Sequence, residues 1–289
     1  MKTILLVLLI LSLTFVVRDF SEAEAQEQYS LDLQRRTWDH STISVLIIPL
    51  ENESWWKPPY LNASLRAIAQ WNHAIQEFAS NYSNFAYLSR IRMVPTITQE
   101  SDFGFDIYIS WIEECASEMT IGQSQAVVKS PCIITKNTVC FAARAPSGHV
   151  MTEVDMQNIA LHEIGHTLGL LHSNYAGDIM YPTLSYRKTV HALSSLDVYA
   201  LSKVFEWMSN STQFTPSNTC PQDSSVTLPS SISYQYLPIS IEDLPPPSSQ
   251  TPLDYILRLL LRPEILIALL IAVTTVAFLV VSRRRREEP

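Results

Sequence analysis

The sequence predicts a domain of the α/β (α+β) class, in which helices pack on a mixed, twisted β-sheet. Two observations carry this prediction. Between residues 38 and 208, short apolar or alternating runs of strand length are interspersed with longer runs of helical periodicity. All six glycines also lie in the middle of the 289-residue chain, from Gly104 to Gly177, whereas two long apolar runs lie near its ends.

The composition excludes two broad classes of protein. Hydrophobic residues make up 47% of the chain, charged residues 17%, and the mean hydropathy is +0.08. Intrinsic disorder over most of the chain is therefore excluded. The net charge of −8 argues against a nucleic-acid partner, because a binder of nucleic acid shows a basic surface.

The first half of the predicted domain contains three strands and a helix. An apolar, β-branched run predicts a strand over 44–50, and Pro58 and Pro59 suit the first turn of the helix that follows. Alternating patterns predict strands over 90–98 and 105–111, and residues 124–143 are expected to form one or two further short strands.

Two helices are predicted in the second half from their N-terminal signals. Thr152 provides an N-cap with Asp155 at the third helical position, and this helix is expected to reach about residue 168. Ser194 and Asp197 form the same pattern at the start of a last helix, which is expected to end near residue 208.

A cluster of metal-binding residue types lies in the first of these two helices. His162 and His166 are four residues apart, so both imidazoles project from one helix face and suit zinc. Glu163 is rotated away by one position, so it can accept a proton from metal-bound water without being a ligand. Gly169 can end the helix with a positive φ, after which His172 approaches the metal from another direction.

This pattern resembles the metzincin zinc peptidases, and within them the matrixins. The motif His-Glu-x-x-His-x-x-Gly-x-x-His starts at His162, Ser173 follows the third histidine, and the run 179–182 supplies a methionine turn. The resemblance implies a zincin-type fold, zinc bound by His162, His166 and His172, Glu163 as general base, and Met180 beneath the metal. It also implies a substrate pocket walled by Tyr181, Pro182 and Leu184, with the substrate paired along an edge strand at 125–129.

Three departures from the matrixin pattern concern control and accessory metals. No cysteine precedes Cys115, so no propeptide that blocks the zinc through a thiol is expected. No histidine lies between His73 and His149, so a second zinc has no visible ligands. Glycine and aspartate are scarce in that region, which leaves calcium uncertain.

The two apolar runs predict the placement of the chain in a cell. A charged start, a short apolar core and the site Ala23-Glu24-Ala25 predict a signal peptide over 1–25, with an uncleaved anchor as the alternative. The second run predicts a transmembrane helix over 265–282, with a buried core helix as the alternative. Four arginines follow it, so the tail over 283–289 is expected to be cytoplasmic and the catalytic domain extracellular.

The connecting segments complete the predicted organisation. A short N-terminal segment covers 26–37, the matrixin-like domain covers 38–208, and a juxtamembrane segment covers 254–264. Between residues 209 and 253, 24 of the 45 residues are Ser, Thr or Pro, which favours an extended stalk. Apolar residues from Ile232 to Ile239 leave open that part of this stretch packs on the domain.

Cysteines and glycosylation sequons fit an extracellular domain. The four cysteines Cys115, Cys132, Cys140 and Cys220 allow three sets of two disulfides. One set pairs Cys132 with Cys140 across a turn at 135–137, and then Cys115 pairs with Cys220. Sequons mark Asn52, Asn62, Asn81 and Asn210 as glycosylation candidates.

Together these features predict a membrane-anchored, extracellular zinc metalloendopeptidase that hydrolyses protein or peptide substrates with zinc-bound water and a glutamate base. Two alternatives stay open from the sequence. One is a non-catalytic cell-surface binding or adhesion module that uses the same metal site. The other is a zinc amidase that acts on cell-envelope peptides.

Overall fold

The computed structural model describes residues 28–98, 104–115, 121–129, 131–183, 186, 189–210 and 220–239. Several predictions lie outside these residues: the signal peptide over 1–25, the juxtamembrane segment over 254–264, the span over 265–282 and the tail over 283–289. Among the described residues, no helix combines the length and apolarity needed to cross a bilayer.

A five-stranded mixed sheet forms the centre of the domain, as predicted. Its strands are β2 (Thr42–Ile47), β3 (Arg92–Ile97), β4 (Ile107–Glu114), β5 (Gly122–Lys129) and β6 (Ile133–Arg144). Their order is β3-β2-β4-β6-β5, and all neighbouring pairs are parallel except β5 with β6. The antiparallel strand β5 is therefore an edge strand of this sheet.

Two long helices pack against each other beside this sheet. Helix α1 (Pro58–Asn81) begins with its two prolines, and a 3-10 segment (Ser83–Arg90) follows it. Helix α2 (Glu153–Thr167) begins at the predicted N-cap Thr152, whose side chain and that of Asp155 form a complete capping box. Buried Trp71 of α1 joins the two helices, because its indole nitrogen donates to the carbonyl oxygen of Leu161, 2.9 Å away.

The last predicted helix is shorter than the pattern indicated. Helix α3 (Ser195–Val204) begins at the predicted N-cap Ser194, and a separate single turn, α4 (Trp207–Asn210), follows. Phe205 ends α3 and is completely buried, as are Leu201 and Ala200 on the same helix. The apolar pattern continues past the break because both short helices pack on one core.

A second, three-stranded sheet was not predicted, and it joins the two ends of the domain. It consists of β1 (Ser30–Leu33), β7 (Leu170–Ser173) and β8 (Ser225–Thr227), with β1 in the centre and both pairings antiparallel. The segment 26–37 is consequently part of the domain from at least residue 28, because its strand is the middle of this sheet.

Part of the predicted stalk also belongs to the domain, which corrects the boundary at residue 208. Residues 220–239 pack on the core, where Ile232 and Leu237 are buried. The backbone nitrogen of Leu237 donates to the carbonyl oxygen of Leu193, and that of Ser195 donates to Gln235. Residues 220–239 therefore pack on the domain, which is the alternative that the apolar residues in this stretch left open. Composition alone could not predict this packing, because it does not show which apolar side chains become buried.

The predicted pairings of Cys132 with Cys140 and of Cys115 with Cys220 are wrong. The structure joins Cys132 to Cys220 across 88 residues of sequence, while Cys115 and Cys140 are not disulfide-bonded. The turn expected at 135–137 lies inside β6, which places Cys140 seven positions beyond the first residue of that strand. An extended strand holds Cys132 and Cys140 much too far apart for a disulfide, since each residue adds about 3.3 Å.

Candidate metal centre

Helix α2 positions the first two histidines, and a glycine turn positions the third. His162 and His166 lie one turn apart on α2, which ends at Thr167. Gly169 has a φ of +97°, the left-handed conformation that glycine adopts readily, and it reverses the chain into β7. His172 on β7 thereby faces the two helical histidines.

The three imidazoles form one cluster. Their ligand nitrogens all lie within 4.8 Å of one another, and the Nε2 atoms of His162 and His166 are 3.1 Å apart. The described residues contain no other group of three or more side chains that could hold a metal ion. This spacing fits nitrogen ligands that each bind one zinc ion at about 2.0–2.1 Å.

Backbone carbonyl groups orient two of the rings. Nδ1 of His162 donates to the carbonyl oxygen of Ile179 at 2.7 Å, and Nδ1 of His166 donates to that of Leu170 at 3.0 Å. A hydrogen on Nδ1 leaves the lone pair on Nε2, which is the nitrogen that points into the cluster. The donor set therefore suits zinc in both composition and tautomer.

Burial keeps the three imidazoles neutral. It lowers the pKa of His162 to about 3, and the neighbouring His166 adds to this effect. Burial also lowers the pKa of His166 and of His172, although the carboxylate of Asp32 on β1 opposes the shift at His172. Neutral imidazole is the form that binds a metal ion.

Glu163 lies beside the cluster and is 7% exposed. Its carboxylate lies against the backbone of Gly122 at the start of β5, because a Cβ added there would be 2.6 Å from Oε1 of Glu163. Burial raises the pKa of Glu163 to about 8, so this carboxylate accepts a proton more readily than an exposed one. A bound cation would lower that pKa again.

Met180, which the resemblance places beneath the metal, is completely buried. Its sulfur packs on helix α2 at Gly165, where an added Cβ would be 2.4 Å from Sδ. The predicted pocket residues follow directly: Tyr181 is half-buried and Pro182 is exposed, while Leu184 lies outside the described residues. The predicted substrate strand over 125–129 is part of the edge strand β5.

Sequence reasoning missed a buried polar network that holds the methionine turn. Oδ1 of Asp178 accepts from the backbone nitrogen of Met180 at 2.9 Å, and Oδ2 accepts from Ser194 Oγ at 2.7 Å and from the Tyr234 hydroxyl at 3.1 Å. Asp197 lies next to this group and is completely buried. The sequence indicated Ser194 and Asp197 only as a capping pair, and it gave no signal for Tyr234, which lies 56 residues from Asp178 along the chain.

A second missed contact lies at the end of helix α2. Gln34 donates through Nε2 to the carbonyl oxygens of His166 and Leu170, which places an N-terminal side chain next to the metal-binding turn. A glutamine outside any motif carries no signal of its own. Of the glycosylation candidates, Asn52, Asn62 and Asn81 are exposed, and the side chain of Asn210 lies outside the described part of the chain.

Comparison with known proteins connects this centre to one family. The sequence profile of the family described as Matrixin matches residues 60–206. The chain is 41% identical to metalloendoproteinase 2-MMP of Arabidopsis thaliana over 56 residues, and 39% identical to neutrophil collagenase of Homo sapiens over 71 residues. These segments cover 19% and 24% of this chain, and each spans 15% of the length of the relative.

Proposed function

The chain belongs to the matrixin family, and from this premise we propose that it is a zinc-dependent endopeptidase that hydrolyses peptide bonds outside the cell. One observation carries the proposal: the ligand nitrogens of three histidines with lowered pKa values lie within 4.8 Å of one another, and the buried Glu163 directly follows His162 on helix α2. Three nitrogen ligands leave a fourth position for water or substrate, which distinguishes a catalytic zinc site from a closed structural one.

Each residue of the centre has a distinct role in this proposal. His162, His166 and His172 hold the zinc ion, which supplies Lewis acidity toward a carbonyl oxygen and toward water when it is bound. Glu163 takes a proton from the attacking water and delivers it to the leaving amine. Its buried position against Gly122 supports this role, since it limits the hydration of the carboxylate and fixes its direction.

The edge strand β5 is the proposed substrate-binding strand. Among the described strands only β6 pairs with β5, so the opposite edge of β5 is proposed to pair with an extended peptide. Gly122 at its start touches Glu163, so a peptide paired with β5 would run past the general base. Tyr181, Pro182 and Leu184 follow the methionine turn and are proposed to wall the pocket for the side chain after the scissile bond.

The proposed location is the outer face of a membrane. The signal peptide over 1–25, the span over 265–282 and the arginine-rich tail support this part of the proposal from the sequence. The disulfide between Cys132 and Cys220 and the exposed sequons at Asn52, Asn62 and Asn81 agree with an oxidising, glycosylating compartment.

The test compares the purified full-length protein with its Glu163→Gln variant. Both proteins are assayed for bound zinc and for cleavage of a mixed peptide library. We expect one zinc in each protein and a loss of cleavage of about 10²–10⁴-fold in the variant, because only the proton acceptor is removed.

Other results would assign a different function. Full activity of the Glu163→Gln variant would contradict the mechanism. Zinc binding without cleavage of any peptide by the unmodified protein would indicate a binding module. Cleavage restricted to amide bonds of cell-envelope peptides would indicate an amidase.

A further inference from the structure

Side chains from the segment between β1 and β2, together with local capping, satisfy the carbonyl groups at the end of helix α2. The last four carbonyl groups of a helix lack partners inside it. Here Trp38 Nε1 donates to the carbonyl oxygen of Thr167 at 3.0 Å, and Gln34 Nε2 donates to that of His166 at 2.9 Å. Gln34 and Trp38 thus provide hydrogen-bond donors for the end of the helix that carries two of the three histidines.

Gln34 also bridges the turn after the helix. Its Nε2 donates to the carbonyl oxygen of Leu170 at 3.1 Å, and its backbone nitrogen donates to that of Gly169 at 2.9 Å. One residue therefore binds the helix end, the turn and the start of β7. These are the parts of the chain that connect His166 to His172.

The carbonyl group of Leu170 links Gln34 to a zinc ligand. The same oxygen accepts from Nδ1 of His166 at 3.0 Å and from Nε2 of Gln34. The position of this oxygen determines which way the imidazole of His166 turns, because the Nδ1 hydrogen follows it. Loss of Gln34 would remove one of the two side-chain hydrogen bonds that this oxygen accepts.

The fit between the N-terminal segment and the turn is close. A Cβ on Gly169 would lie 2.8 Å from the carbonyl oxygen of Arg36, which leaves no space for a larger residue. Arg35 has a φ of 57° and is the one non-glycine residue with positive φ among those the structure describes. Such a backbone conformation costs about 1 kcal/mol or more and persists where surrounding contacts impose it.

Strand β1, which directly precedes Gln34, contacts the strand that contains the third histidine. In the second sheet, Leu31 pairs with Ser173 and Leu33 with Leu170, so β1 lies along the strand that contains His172. The N-terminal segment consequently contacts both the end of helix α2, which carries His166, and strand β7, which carries His172. It lies outside residues 60–206, the region shared with the family.

We propose that Gln34 is a positioning residue for the zinc site, which holds the Leu170 carbonyl group and through it the imidazole of His166. This inference rests on the proposed function, because it assigns zinc to the histidine cluster. Its consequence is that a side chain without direct access to the metal controls how tightly the metal is held.

The test measures zinc affinity in the full-length protein by competition with a chromophoric chelator. Gln34→Met keeps the length of the side chain and removes both donors, and we expect zinc to bind about tenfold more weakly, as for other residues that orient a ligand. Gln76→Met is the matched control, since Gln76 donates to the carbonyl oxygen of Ser89 on the exposed surface of α1. Its zinc affinity is expected to change less than twofold.

Unfolding of the zinc-free proteins separates positioning from general stability. A purely structural role would lower the stability of the zinc-free variant and leave its zinc affinity unchanged, which would overturn the inference. Equal zinc affinity in Gln34→Met and the unmodified protein, or an equal loss in Gln76→Met, would also overturn it. If Gln34→Met does not fold, Gln34→Asn replaces it, because its shorter amide cannot reach both carbonyl oxygens.

The same experiment distinguishes this inference from the proposed function. If the unmodified protein binds no zinc, both are wrong. If it binds zinc and cleaves peptides while Gln34→Met binds zinc equally well, only the role of Gln34 is wrong.

Discussion

The buried carboxyl groups of Asp178 and Asp197 both contact the hydroxyl group of Ser194. Burial and the adjacent charge of Asp178 raise the pKa of Asp197 well above the usual range. Oδ1 of Asp197 has no hydrogen-bond partner among the described residues. Ser194 Oγ lies 2.7 Å from Asp178 and 3.0 Å from Asp197, so the methionine turn and helix α3 are joined at one buried point.

The two acids are predicted to respond differently to the same substitution. The raised pKa of Asp197 favours its neutral form, so the neutral amide of Asp197→Asn should lower the free energy of unfolding by less than about 1 kcal/mol. Asp178 accepts hydrogen bonds from Met180, Ser194 and Tyr234, and the amide NH₂ of Asp178→Asn would face these donors at a cost of about 2–4 kcal/mol. Urea unfolding at neutral pH measures both losses, and the reverse order of the two would contradict the raised pKa of Asp197.

The disulfide between Cys132 and Cys220 is predicted to stabilise the domain. It closes a long loop and fastens the C-terminal segment beside β1, so Cys220→Ser should lower the free energy of unfolding by about 2–4 kcal/mol. Cys140→Ser is the matched control, because Cys140 is not disulfide-bonded. Chemical denaturation with and without a reductant tests this, and a reductant should leave the Cys220→Ser variant unchanged.

Gly165→Ala is predicted to disturb the packing of Met180 and Trp71 against the helix that carries His162 and His166. The new methyl group would overlap the Met180 sulfur, and the indole of Trp71 lies 3.2 Å away on the other side. Overpacking of this kind costs about 1–3 kcal/mol, and we expect lower thermal stability together with weaker zinc binding. An unchanged melting temperature and zinc affinity would show that Met180 moves aside freely.

His40 is predicted to make the stability of the domain pH-dependent on the alkaline side. A hydrogen bond to Asp106, with a further one to Asp39, raises the pKa of His40 to about 9. The raised pKa means that protonated His40 stabilises the fold below pH 6.5 and that this contribution disappears as the pH rises through 9.

The measurement compares the free energies of unfolding of His40→Gln and the unmodified protein at pH 6 and pH 10. Because the side chain of His40 is 40% exposed, the loss at pH 6 should not exceed about 1 kcal/mol. It should vanish at pH 10. A loss of the same size at both pH values would mean that charge is not its cause.

Short-range patterns determined much of the fold and the centre of the site. The N-cap pairs Thr152 with Asp155 and Ser194 with Asp197 fixed where two helices begin, because capping acts over three residues. His162 and His166 were predictable for the same reason, since helical periodicity places them on one face. Predicting that His172 joins these two residues required one further local signal, the turn at Gly169.

Only the tertiary structure decided which distant segments meet. Four contacts join residues that lie 56 to 142 positions apart: the pairing of Cys132 with Cys220, the strand β1 beside β7, and the hydrogen bonds of Gln34 and Tyr234. Such contacts depend on burial and on unpaired backbone groups that become available when the whole chain folds. Local sequence patterns do not indicate such long-range contacts. The sequence therefore predicted the histidines and Glu163 of the site, whereas the contacts that hold these residues in place became evident only in the tertiary structure.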